Sequence, residues 1–178
     1  MEFKYTLTVD DFINFNIFHF KTSKTSKKSR VRSRMLLLIF YILFFIFFIF
    51  IGKTKLSVFF LVPISLYFIP LIIFWDKYLL QRTKKIVKKM LAEGKNKSFT
   101  DEQIVIFGDD KITCKDSFSN VEYSYKVIEK LEENEKYFFI YISSIQALIL
   151  TKELFESENK MNDFRQFLVP KISGVTSM

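Results

Sequence analysis

Two uncharged apolar runs constrain this chain more than anything else in it. They are MLLLIFYILFFIFFIFI over Met35–Ile51 and LSVFFLVPISLYFIPLIIFW over Leu56–Trp75, separated by the four residues GKTK. In the first run, fifteen of 17 residues are Leu, Ile or Phe. As a helix at ~1.5 Å per residue it reaches about 26 Å, close to the ~30 Å hydrocarbon core of a bilayer. The second run reaches about 30 Å on the same rise. Four residues cannot carry a chain back across a bilayer, so the expected element is an antiparallel transmembrane hairpin of helices 35–51 and 56–75.

The charge is arranged around these runs. Lys21–Arg34 holds seven Lys/Arg and no acid, the GKTK turn holds two Lys, and Asp76–Lys97 holds eight Lys/Arg against two acids. Positive residues gather on the cytoplasmic side of membrane helices. Both termini are therefore expected in the cytoplasm, with the turn outside. Arg30, Arg32, Arg34 and Lys77 are the expected contacts to the lipid surface, and Trp75 and Tyr78 the expected interfacial aromatics. Pro63 and Pro70 lie seven apart in the second run and remove backbone donors, which predicts a kinked helix with hydroxyls such as Ser57 and Ser65 compensating. The net charge of +8 does not mark a nucleic-acid binder. It flanks apolar segments, whereas 98–178 carries nine Lys/Arg against fourteen Asp/Glu.

Four segments follow: 1–34, a cytoplasmic strand, helix and basic juxtamembrane stretch; 35–75, the hairpin; 76–97, a basic amphipathic stalk helix continuing the second span, with Gly94 as its stop; and 98–178, a small soluble domain. In the first, Phe3, Tyr5 and Leu7 alternate with polar residues, the period of a half-buried strand. A single strand is not stable alone, so it is expected to pair with the C-terminal sheet. Thr8 and Asp11 offer caps for a helix running to about Phe20. That helix has no clean polar face and should pack against the hairpin or the C-terminal domain. His19, the only histidine, reads as an interface residue.

In the last segment, 103–107, 111–115 and 121–126 read as strands, with 127–131 a short helical turn or continued strand. Residues 132–135 read as a loop, and 137–142 and 147–150 as further strands. Ser157 caps a final helix with Met161, Phe164 and Leu168 inward, ended by Pro170. Cys114, the only cysteine, should be a core thiol. The expected fold class is thus an α+β membrane protein: a two-helix hairpin plus a small antiparallel sheet closed by a C-terminal helix.

No GxGxxG, P-loop, HExxH or GxSxG pattern occurs, and one His with one Cys supports no catalytic pair. The acid pairs Asp109-Asp110 and Glu132-Glu133 sit in expected turns. No catalytic residue, cofactor or metal ligand is expected.

The opening YTLTVDDFINF, the two spans behind a basic segment, and the patterns IVIFGDDKITC and YSYKVIEKLEENEKYFFIYISSIQALILTKELF carry a resemblance. The chain resembles the YcxB-like family of small bacterial membrane proteins over nearly its whole length. It departs where members show a Pro before the Lys matching Lys152: here that residue is Thr151. Tyr125 takes a position where members carry an aromatic, often Trp. The resemblance implies a soluble domain similar to bacterial pleckstrin-homology-like domains, a small sheet or half-barrel with a C-terminal helix, and no enzymatic activity. The expected role is a non-enzymatic module at the bacterial cell membrane. Its partners would be the bilayer and a protein or a second copy, or lipid head groups. The alternative is a subunit of an oligomeric transport or channel assembly.

Overall fold

The computed structural model describes residues 1–51, 55–93 and 101–172. Within them lie five α-helices and two small antiparallel sheets, an α+β architecture. The chain divides into two compact units, Met1–Phe15 with Met90–Met178, and Asn16–Lys89. The expected turn at 52–54, the Gly94 stop, the domain start at 98–100 and the side chain of Ser57 lie outside the described residues.

The first unit holds both sheets. One is ordered β1 (Glu2–Thr6), β2 (Glu102–Phe107), β3 (Lys111–Lys115), β4 (Asn120–Ser124). The other is ordered β5 (Lys130–Glu133), β6 (Tyr137–Tyr141), β7 (Ala147–Thr151). The pairing expected for the N-terminal strand is present: Phe3 lies opposite Val105 and Tyr5 opposite Gln103. The alternation works as it should, because Tyr5, Leu7, Val105, Phe107 and Ile112 are all buried.

In β6 all five residues are buried, so both of its faces must be covered. Helix α1 (Val9–Thr22) covers one face, where Phe15 meets the rings of Phe139 and Tyr141 at 5.6 and 6.0 Å. On the other face Phe138 meets Phe155 and Phe164, both at 5.4 Å. Phe164 belongs to α5 (Glu158–Leu168) and also touches Phe3 and Phe107. This aromatic cluster joins both sheets and the last helix in one core. The caps at both helix starts are those the sequence indicates. Asp11 N donates to Thr8 Oγ1 and Thr8 N to Asp11 Oδ2, and Lys160 N donates to Ser157 Oγ.

The second unit is helical. Helix α2 (Lys24–Ile51) and α3 (Lys55–Ile73) run antiparallel, since Ser33 meets Trp75 while Tyr41 meets Ser65 and Phe68. Lys24–Phe50 is long and apolar enough to cross a membrane: its most apolar 18-residue window has a mean hydropathy of 2.5 and is not buried. Among the described residues, Leu61–Ile73 and Trp75–Glu93 pass the same test together, bent by 73° at the break between them.

Four expectations need correction. The basic stretch is not a separate segment: from Lys24 it is the first third of α2. The second apolar helix does not continue straight into a stalk. It ends at Ile73, and α4 (Trp75–Glu93) leaves at 73°. The third strand stops at Ser124, where the Ser124 hydroxyl caps a single 3-10 turn over Tyr125–Val127. Glu132 and Glu133 are not loop residues but the end of β5, their charges matched by Lys130, Lys152 and Arg165.

Candidate functional site

The residues singled out as interface contacts fall in the helical unit, and several come together at the polar end of the α2–α3 pair. The Trp75 indole N–H donates to Ser33 Oγ at 2.9 Å, and its ring stacks on Tyr78 at 5.6 Å. Arg30 lies over the Phe20 ring at 4.4 Å, donates to the Phe20 carbonyl, and reaches Asp76 at 3.8 Å. Arg32 and Lys77 are exposed and Arg34 is half-buried. Pro63 and Pro70 lie on the exposed side of α3, which runs helically through both. The sharp break falls at Phe74, whose N–H still donates to the Pro70 carbonyl at 2.9 Å. Phe45, Leu61, Val62, Ser65, Leu66, Ile69 and Pro70 line a groove of 470 Å³ whose walls are almost wholly apolar.

Sequence reasoning did not single out the polar features of the sheet unit. The Tyr137 hydroxyl donates to Asp11 Oδ1 at 2.6 Å and accepts from Asn14 at 3.2 Å, tying α1 to β6. Burial alone would raise the Asp11 carboxyl, but the bonds from Tyr137 and Thr8 outweigh it and hold it below its ordinary value. At the rim of β5, Glu133 accepts from Lys152 and Arg165, each at 2.8 Å. Burial works against ionisation here too, and the two cations again prevail, so the carboxyl is held low. Both cations also lie over the Phe138 ring, at 4.9 and 5.2 Å. This cluster shields the aromatic core with satisfied charge.

Cys114 faces the same side of β3 as buried Ile112 but is only half-buried, and burial pushes its thiol up to about 11. A thiol held protonated is a poor nucleophile. His19 is half-buried in α1. Among the described residues no group of His, Cys, Asp or Glu is placed to hold a metal ion.

One further contact joins the turn after β2 to the turn after β4. Tyr125 is buried, its hydroxyl donates to the Gly108 carbonyl at 2.7 Å, and Lys171 lies over its ring. Gly108 approaches the Lys111 carbonyl so closely that a Cβ would stand 3.2 Å from it. Both ends of this link lie in the stretch of strands and last helix that a family pattern describes. Residues 107–168 match the YcxB-like protein family. The YcxB-like stretch thus runs from the end of β2 to the end of α5. Its match leaves out β1, α1 and the helical unit, including the YTLTVDDFINF opening. No curated protein and no solved structure matches the chain.

Proposed function

We propose that this protein is a membrane-anchored, non-enzymatic interaction module of the bacterial cell membrane. A two-helix hairpin would hold its sheet unit, with both termini in the cytoplasm, against a protein partner or a second copy. The observation that carries the reading is the β1–β2 pairing. Two strands that share hydrogen bonds must lie on one side of any bilayer. If α2 crosses, the chain must cross back before Glu102, and α3 is the element available. The bare apolar surface of α2 supports a lipid setting, since Phe50 is 78% exposed and Leu43 61%. Flanking charge supports the direction.

The four- and three-stranded meanders closed by α5 are consistent with a pleckstrin-homology-like half-barrel. Its acidic balance disfavours anionic lipid as that unit's ligand and favours a protein. The transport alternative has a groove beside α3, but an apolar wall offers a polar solute nothing to replace its hydration.

Reporters active only in the cytoplasm, fused to each end in turn, test the anchor. Activity at both ends is expected, and silence at both ends would refute the orientation. Proximity labelling from the C-terminus, compared between the native chain and one with the exposed Asp109, Asp110, Glu129 and Glu135 changed to Ala, tests the module. The same labelled set from both chains, with no self-association, would sink the interaction reading.

A further inference from the structure

Helix α4 turns by 73° at the one place where a membrane helix has reason to turn. The Ser33–Trp75 hydrogen bond puts the start of α4 level with Ser33, two residues before the charge-free run of α2 begins at Met35. The bend therefore sits at the boundary between the apolar and the basic parts of the helical unit. Had α4 continued along α3, its residues would have risen away from that boundary. A turn of this size carries them along it.

The faces of α4 fit such a course. At ~100° per residue, Leu79, Ile86 and Met90 lie within about 40° of one another. Ile86 is 47% exposed and Met90 65%, while Leu79 is half-buried, so the strip is open at Ile86 and Met90. On one side of the strip comes Val87, which is buried. On the other come Arg82 and Lys85, both exposed, and the far side carries Lys77, Lys84 and Lys88. An apolar strip open at Ile86 and Met90, with cations on one flank and further cations opposite, is the pattern of a helix lying in a lipid–water interface.

We infer that α4 lies flat on the membrane surface, with Ile86 and Met90 in the acyl boundary and Arg82 and Lys85 on the phosphates of anionic lipids. This rests on α2 being membrane-spanning, as proposed above. It goes beyond that reading by making α4 a lipid-reading surface where a rising stalk would touch no lipid. The occupant is the leaflet itself. Cationic residues near an anionic surface draw it in, and the apolar strip supplies the depth.

The test uses the full chain in nanodiscs, on a Cys114→Ala background. Nitroxide labels are placed at Ile86→Cys, Met90→Cys, Lys84→Cys and, as a control for the span, Phe47→Cys. Accessibility to oxygen is read against accessibility to a water-soluble nickel chelate. The expected ratio is severalfold higher at 86 and 90 than at 84, and highest at 47. With phosphatidylglycerol added to phosphatidylcholine, the ratio at 86 should rise in the native sequence and stay unchanged with Arg82→Gln and Lys85→Gln. A deep label at 47 with equally wet labels at 84, 86 and 90 overturns the flat helix while leaving the anchor intact. A wet label at 47 overturns the anchor and the inference with it. A ratio at 86 indifferent to phosphatidylglycerol overturns the assignment of Arg82 and Lys85 to lipid phosphate.

Discussion

Tyr137 does more than its place in an aromatic run indicates. Its hydroxyl links β6 to a charged group of α1, reaching Asp11 at 2.6 Å. Changing Tyr137 to Phe keeps the ring stacked on Phe139 and removes the bond to Asp11 together with the weaker one from Asn14. The expected loss is about 1–2 kcal/mol, the range for one hydrogen bond to a partly exposed charged group. Reduced hydrogen-exchange protection of the β6 amides would show it, and unchanged protection would mean the link is idle. The pH dependence has a definite sign. Asp11 and Glu133 both have folded-state pKa values below their ordinary ones of 3.8 and 4.5. Their contribution is complete above the ordinary values and disappears as pH falls through the lower, folded ones. Urea midpoints should therefore drop on acidification below about pH 4.5, the ordinary Glu range. Glu133→Gln should flatten that drop, and an equally steep drop in the variant would discard Glu133 as a cause.

Helix α1 shows what an element can add when it has no polar face. Phe15 is 5% exposed, between Phe139 and Tyr141. Phe15→Ala should cost about 3–5 kcal/mol, the usual range for emptying a buried aromatic site. Thermal unfolding in detergent would register it, and a shift no larger than that of an exposed Phe118→Ala would contradict the packing. Elements with a strong local period were legible beforehand. The alternation of Phe3, Tyr5 and Leu7, the Thr8 and Ser157 caps, and the unbroken apolar run of α2 all depend on neighbours in sequence. What was not legible depends on neighbours in space. The acids of β5 read as loop because Lys152 and Arg165, which neutralise Glu133, are 19 and 32 residues away. The bend at Phe74 carries no Pro or Gly of its own, so nothing local announced it. The polar contacts at the helical unit's end were foreseeable as residue types, but the pairing of Trp75 with Ser33 was not.

At the scale of the molecule, the sheet unit is assembled from two pieces of chain with the helical unit inserted between them. Tyr5, Leu7 and Phe15 supply core that residues 90–178 lack. A chain in which a flexible Gly/Ser linker replaces residues 16–89 should therefore fold as a soluble unit, because lengthening or exchanging a linker costs little. Residues 90–178 alone should not, since β2 would lose one of its two partners and β6 the cover of one face. Dispersed amide resonances from the linked chain, and collapsed ones from the shorter piece, are the expected result. Well-dispersed resonances from 90–178 alone would show that the first fifteen residues are dispensable.

The split strand pairing also sets an order of events during synthesis. Glu102 lies 96 positions after Thr6, its partner. At ~5–20 residues per second, β1 waits roughly 5–20 s for β2 to leave the ribosome. In that interval the apolar helices are made and, if they span a membrane as proposed, must be inserted. A molecule whose helices insert the wrong number of times leaves β1 and β2 on opposite faces of the bilayer, with Tyr5, Leu7 and Phe15 unable to reach their places. Such a molecule presents an unfinished sheet edge to the proteases that clear misassembled membrane proteins. On that proposed topology, closing the first sheet would act as a check on insertion, made once per molecule.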